Sequence, residues 1–347
     1  MQKFDIFETD IMPIKVVNTV TRKIFDEDIR PAAQPVIMRN LVGHWPAVTA
    51  GKTSPRALGD YIKTQASNAP TPTYIGQPNI KGRYFYNPDM NGFNFTKRSI
   101  PLPPTIDKLL SQLEDKAPMG IYAGATSTAN SVPDFGKANE MPLVDGDIEP
   151  LMWVGNSARI APHFDTDENI ACCVAGQRKF LLFPPEQLKN LYVGPLDRTM
   201  AGPPASCVDP RYVDLEKHPA FETAMPAALI ADLQPGDALY IPCLWWHYVE
   251  SEGPLNVLVN YWWNDSRSDD IMSSLALALL LLRERPLAER EAWKNMFDHY
   301  VFGENAQNVV DHLPESARGF LGPKSKERDE YMKNYLRSKL GETLRPS

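Results

Sequence analysis

Apolar and polar residues repeat with two different periods along this chain, and the change of period divides it. In the middle the pattern is strand-like. Residues 120–124, 151–155, 170–174, 178–183, 238–242, 245–250 and 256–263 are short runs rich in β-branched and aromatic residues, bounded by Gly, Pro or Asp. Ala175-Gly176-Gln177 reads as the turn of a hairpin joining residues 170–174 to 178–183, which Pro184-Pro185 ends. Gln234-Pro235-Gly236-Asp237 reads as the turn feeding residues 238–242. Before residue 120 the signals are mixed. Residues 14–17 and 35–38 suggest strands, Trp45-Pro46-Ala47 a turn, and residues 82–88 an aromatic strand. Residues 54–65 predict a helix with Ser54 as N-cap and Pro55 first, and residues 105–113 a second helix capped by Thr105. From Asp269 onward the spacing is helical. Residues 271–285 are apolar nearly all round, which calls for burial on more than one side, against the N-terminal helices or in a dimer interface. Residues 288–302 and a basic amphipathic stretch at 324–340 complete that region.

The pattern predicts a mainly β protein with flanking helices in three regions. Residues 1–119 form an α/β region packing on a barrel, 120–265 the barrel, and 266–347 a helical region and possible dimerisation element. Composition narrows the class. With 43% hydrophobic and 23% charged residues, the 347-residue chain has an ordinary globular composition. Its 32 prolines against 20 glycines, spread along the chain, imply many short elements joined by rigid turns. A net charge of −7 offers no electrostatic footprint for nucleic acid or for an anionic membrane. The first residues carry acids where the apolar core of a leader would sit, so the expected location is cytoplasmic. The longest apolar run is far shorter than the roughly 20 residues a bilayer requires. Four cysteines without CxxC spacing argue against a zinc knuckle or a disulfide framework.

Candidate chemistry gathers at Ala161-Pro162-His163-Phe164-Asp165-Thr166-Asp167-Glu168-Asn169. In a strand, side chains two apart share a face, so His163 and Asp165 point one way and Phe164 the other. An isolated His-x-Asp is commonly a surface pair; here it opens a strand. His247, in a strand after a Pro-Gly-Asp turn, is the candidate third ligand. Two histidines and one carboxylate on one face of an iron leave the opposite positions open for substrate and dioxygen. The other four histidines have no comparable strand setting.

Several ordered blocks carry a resemblance: His163-Phe164-Asp165 with Asn169, the run from Gly176 to Pro185, Pro235 to Pro242, Trp245-Trp246-His247, and Val259-Asn260-Tyr261-Trp262. Together they resemble the JmjC and cupin-like Fe(II) and 2-oxoglutarate-dependent oxygenases, and within them the group around the hypoxia-inducible-factor asparaginyl hydroxylase. The resemblance covers residues 120–265 and, more weakly, 24–47. It implies a double-stranded β-helix, iron held by His163, Asp165 and His247, and 2-oxoglutarate as co-substrate with dioxygen. It places the cation for the co-substrate's far carboxylate at Arg178, where relatives commonly have lysine. Lys179, the adjacent candidate, alternates to the opposite side. Tyr122 matches a tyrosine that helps hold that carboxylate, and equally suits a core aromatic. Asn169 and Asn260 match positions near the co-substrate's iron-side carboxylate. Ile160 departs from the pattern, standing where close relatives have threonine.

The implied reaction is hydroxylation of a peptide or protein side chain with release of succinate and CO2. A small-molecule substrate is the alternative, and a non-catalytic metal-binding cupin the competing class. A zinc or manganese isomerase would need an added ligand, and none stands at the usual spacing. Tyr84, Tyr86 and Trp262, with the connection over residues 190–225, are candidates for the substrate entrance, whereas Trp245 and Trp246 suit the core or barrel rim.

Overall fold

The alternating runs of the sequence fold into a single sheet of thirteen strands, wrapped into two facing layers. The structure, a computed structural model, describes residues 6–200, 202–264 and 271–343. It divides into two compact units, Met1–Arg267 and Ser268–Ser347. The expected start of the helical region at Asp269, and the expected boundary at residues 265 and 266, lie outside the described residues.

The strands of the first unit are β1 (Met12–Pro13), β2 (Lys15–Val17), β3 (Val36–Met38), β4 (Pro70–Gly76), β5 (Arg83–Tyr84), β6 (Phe95–Pro101) and β7 (Gly120–Ser127). They continue with β8 (Pro150–Gly155), β9 (Ala158–His163), β10 (Glu168–Phe183), β11 (Leu229–Leu233), β12 (Ala238–Ile241) and β13 (Trp246–Trp263). Two of them are long and belong to both layers. The first half of β10 pairs with β12 and with the last residues of β13, and its second half pairs with β11 and with the first residues of β13. One layer therefore runs β2-β3-β12-β10-β13-β8-β7-β4-β6, and the other is completed by β1, β11, β9 and β5. This is a double-stranded β-helix, a jelly roll, as the sequence implied.

Apolar side chains on both faces of the first layer explain its burial. Ile170, Cys172, Tyr240, Val257 and Val259 pack outward on the N-terminal helices, in a cluster with Leu58, Ile62, Ile106 and Leu109. Ala171, Cys173, Leu239 and Leu258 point inward and meet Phe180, Leu182, Ala231 and Leu233 of the opposite layer. Pro55–Gln65 is the predicted helix, with the Ser54 hydroxyl accepting from the Ala57 amide. Two expectations need correcting. Trp45-Pro46-Ala47 is no turn but the start of the helix Pro46–Thr53, because proline at the first position lacks only an N–H that has no partner there anyway. The second helix begins a turn early, at Leu102. Thr105 lies inside it and donates its hydroxyl to Pro101 O at 3.0 Å rather than capping it.

The predicted hairpin at Ala175-Gly176-Gln177 is also corrected. Residues 168–183 form one 16-residue strand, interrupted by register shifts between Cys173 and Ala175 and between Ala175 and Gln177. The glycine signal is the same for a tight turn and for a bulge, since both need backbone at positive φ. Here the chain continues as a strand through the irregularity, with consecutive Val174 and Ala175 both in the outer cluster and Gly176 following at φ +79°. The effect is to change parity: odd-numbered Asn169 and Ala171 face inward before it, and even-numbered Arg178 and Phe180 after it.

In the second unit, Met272–Leu282, Leu287–Phe297 and Lys326–Thr343 are helices. The apolar stretch was expected to be buried on several sides, yet no residue of Met272–Leu282 is buried, and Val310 is the one buried residue among those described in this unit. Eleven-residue helices with so few buried neighbours cannot enclose a helix that is apolar all round.

A side chain at residue 176 would meet both a positive φ and the side-chain oxygen of the buried Asn256. Gly176→Val is therefore expected to cost about 2–4 kcal/mol, as strain plus overpacking. Urea denaturation measures this, and an unchanged midpoint would show that the bulge does not depend on glycine.

Candidate metal and co-substrate site

Strand register brings the two histidines together. His247 on β13 pairs directly with His163 at the end of β9, and their ring centroids lie 4.3 Å apart. Asp165 is not on the strand with His163 but in the link that follows it, where its carbonyl accepts from the Leu244 amide at 2.9 Å. Phe164 points away and packs edge-on against Trp246. The outcome is the cluster the spacing suggested: one ligand atom from each of His163, Asp165 and His247, all within 4.8 Å of one another.

Each imidazole is held by its other nitrogen. His163 Nδ1 lies 2.9 Å from Ala161 O and His247 Nδ1 3.0 Å from Trp245 O. A carbonyl only accepts, so Nδ1 carries the proton in both rings and Nε2 is left as a lone-pair donor. Burial, and then the neighbouring His163, push the His247 pKa down to about 4, with Asp165 pulling the other way. The ring is neutral at ordinary pH, as a metal ligand must be. Two imidazoles with their Nε2 atoms turned to one point, and a carboxylate, fit Fe(II).

Beside this cluster opens a cavity of about 130 Å³ between the two layers. Drug-sized ligands occupy roughly 300–1,000 Å³. The cavity thus suits a small acid and the tip of a substrate rather than a whole peptide. His163, Asp165, His247, Tyr122, Asn169, Asn260, Arg178, Tyr84 and Trp262 all line it, as does Ile160, which makes an apolar patch opposite Val249.

Arg178 is 3% exposed, and its Nε and Nη2 have no hydrogen-bond partner among the described residues. A buried guanidinium without an acceptor costs several kcal/mol, so these two N–H groups define where an anion would be held. Tyr122 stands next to it: burial raises the phenol's pKa, while the Arg178 charge and hydrogen bond work against that rise. The buried Tyr84 hydroxyl and Trp262 Nε1 are likewise unpartnered. Three nitrogens with unpartnered N–H groups and one hydroxyl line this part of the cavity among the described residues, a donor set that fits the far carboxylate of 2-oxoglutarate.

Two of the predicted residues lie elsewhere. Lys179 does not reach the cavity: the bulge sends Arg178 inward, so Lys179 alternates outward, its Nζ 4.0 Å from Glu252. Tyr86 is buried outside the cavity and donates its hydroxyl to Arg198 O at 2.7 Å. It thereby holds the long connection whose residues Met200, Pro203 and Ala205 wall one side of the cavity. Ser206 N of the same connection donates to Pro162 O at 2.7 Å, tying the wall to the strand that carries His163. Asn169 and Asn260 are already engaged with each other, and Asn169 Nδ2 donates to Asp165 Oδ2 at 3.3 Å. Sequence reasoning passed over Trp153, whose Nε1 donates to Asn260 Oδ1 at 2.7 Å. The available signal was a tryptophan in a strand, since a buried indole N–H needs an acceptor.

A jelly roll with two histidines and a carboxylate at one end of its interior defines the class of metal-binding cupin-like proteins. The chain belongs to the cupin-like domain family, whose sequence pattern matches residues 21–269. It is 28% identical over 235 residues to Jumonji C domain-containing protein 5 of Drosophila melanogaster, covering 67% of this chain and 55% of that one. It is 27% identical over 248 residues to lysine-specific demethylase 8 of Danio rerio, covering 69% and 55%. With the human bifunctional peptidase and (3S)-lysyl hydroxylase JMJD7 it shares 24% identity over 257 residues, covering 67% and 77%. The chain thus spans a little over half the length of the fly and zebrafish relatives. Among the described residues no helix is long and apolar enough to cross a membrane.

Arg178→Met keeps the apolar stem and deletes the unpaired charge. The metal-free, co-substrate-free protein is expected to gain about 1–4 kcal/mol of stability. Denaturant melts test this, and a loss of stability would show that the guanidinium is satisfied within the protein.

Proposed function

We propose that this chain is an Fe(II)- and 2-oxoglutarate-dependent oxygenase that hydroxylates a peptide or protein side chain. The observation that carries the reading is the His163–Asp165–His247 cluster beside a cavity with a buried, unpartnered arginine. When bound, Fe(II) and 2-oxoglutarate supply the oxidising chemistry: dioxygen and 2-oxoglutarate are consumed, succinate and CO2 are released, and one oxygen atom enters a substrate C–H bond.

The protein's part is binding and orientation. His163 and His247 offer their Nε2 atoms, and Asp165 offers a carboxylate oriented by Asn169. Arg178, with Tyr122 beside it, binds the far carboxylate of 2-oxoglutarate and so sets which end of the molecule faces the metal. Arginine replaces a single ammonium contact with a planar two-donor fork, which offsets the threonine hydroxyl that Ile160 does not provide. The apolar walls exclude water from the reacting centre. The small cavity admits one side chain while the remainder of a peptide stays outside, along the wall formed by Met200 and Pro203. The printed names of the zebrafish and human relatives, a demethylase and a lysyl hydroxylase, favour a protein substrate over a metabolite.

We also propose that the second unit joins two copies of the chain. Leu275, Leu280, Leu281, Trp293 and Met296 are each more than a third exposed, a surface that calls for a partner.

Purified protein with Fe(II), 2-oxoglutarate and oxygen is expected to form succinate, and His163→Ala to lose at least about 100-fold of that rate. Unchanged turnover in the variant would remove His163 from the site. Calorimetry showing no 2-oxoglutarate binding to the iron-loaded protein would favour a non-catalytic cupin instead. For the assembly, light scattering is expected to give twice the chain mass, and Leu280→Lys with Leu281→Lys to halve it. A wild-type mass of one chain would refute the dimer.

A further inference from the structure

We propose that Trp153 is a positioning residue for Asp165, acting through a relay of two buried amides whose donor end it supplies. The inference rests on the reading of Asp165 as a metal ligand. Three adjacent strands supply the relay: Trp153 on β8, Asn260 on β13 and Asn169 on β10. The Trp153 indole Nε1 donates to Asn260 Oδ1 at 2.7 Å, Asn260 Nδ2 donates to Asn169 Oδ1 at 3.3 Å, and Asn169 Nδ2 donates to Asp165 Oδ2 at 3.3 Å.

The two ends of an asparagine amide have nearly the same shape, so packing does not decide which end is oxygen; hydrogen-bond partners do. An indole nitrogen can only donate. Asn260 must therefore turn its oxygen to Trp153 and its NH2 to Asn169. Asn169 must then turn its own oxygen to Asn260 and its NH2 to Asp165. Direction set at the first link passes to the last, and the relay ends with a donor aimed at the carboxylate. In the reverse sense Asn169 would place an oxygen against Asp165 Oδ2, acceptor against anion. Asn169 and Asn260 are 5% and 1% exposed, so their amides are satisfied inside the protein rather than by bulk water. The indole is itself held in place: its ring lies 5.8 Å from Tyr122 and 5.8 Å from Trp262, the latter edge-on. A partner one step behind a metal ligand, as Asn169 is here, typically changes metal affinity 10–100-fold when lost, and Trp153 acts on that partner through Asn260.

The test measures Mn(II) affinity of the full chain by calorimetry, with Mn(II) in place of the oxidisable Fe(II). Trp153→Phe keeps an aromatic ring and removes the N–H, and is expected to weaken Mn(II) binding about 10-fold. Asn260→Asp removes the donor to Asn169 and leaves that amide between two acceptors, so binding is expected to weaken at least as much. Because the relay is then already broken, adding Trp153→Phe to Asn260→Asp is expected to change affinity by less than about 2-fold. A Trp153→Phe protein that binds Mn(II) like the wild type would overturn the inference, and so would losses that multiply in the double variant. If Trp153→Phe does not fold, Asn260→Asp decides alone, retained affinity overturning the relay. A wild-type chain that binds no Mn(II) is a separate result, one that overturns the metal reading itself.

Discussion

The antiparallel pairing of β10 with β13 is the constraint on which everything else in the first unit depends. It runs from Glu168 opposite Trp263 to Phe183 opposite Trp246, so both strands pass from one layer into the other. A flat ladder of that length would keep each face of each strand on one side throughout. Both strands instead change parity midway: Asn169 and Ala171 against Arg178 and Phe180 on β10, and His247 and Val249 against Leu258, Asn260 and Trp262 on β13. Glycines at positive φ lie at or near both changes, Gly176 and Gly253. The shared interior is the result, and both ends of the site open into it.

The chemistry follows from where that interior is polar. Inward positions are mostly apolar, and a polar group placed there is costly unless something meets it. The amides of Asn169 and Asn260 are met by Trp153 and Asp165, and the imidazole Nδ1 atoms by backbone carbonyls. Arg178, Tyr84 and Trp262 retain buried atoms without a partner among the described residues. The satisfied groups form the rigid part of the site and hold the metal-binding atoms still. Those left unsatisfied mark where ligands complete the structure.

A different tie governs access. The connection between β10 and β11 is anchored at several points: Ser206 to Pro162, Tyr86 to Arg198 O, and Arg211 to the buried Glu250 carboxylate on the outer side of β13. Hydrogen bonds and an ion pair of this kind keep a proline-rich segment at the mouth, where Met200 and Pro203 narrow the opening. The wall is thus coupled mechanically to the strands that carry His163 and His247.

Much of this was legible in the chain. Strand-like runs, the His-x-Asp pair and a distant histidine in a second strand were enough to expect a mainly β protein with a metal site, because each is a local pattern of residue type and spacing; the jelly roll and the role of Arg178 came from the resemblance of ordered blocks to a known family. What the sequence could not express is which side of a layer a residue occupies once a bulge intervenes. The stretch around Gly176 signals a turn and a bulge alike, and the irregularity beginning at Val174 and Ala175 decides whether Arg178 or Lys179 meets the cavity. Pairing partners are equally invisible: Trp153 reaches Asp165 only through Asn260 and Asn169 on two other strands, and the apolar helix at Met272–Leu282 says that it needs cover without saying whose. By itself the sequence determined the elements and the chemical groups available. Tertiary structure decided which groups face one another, since register and parity are set by long-range strand pairing and not by any short stretch of chain.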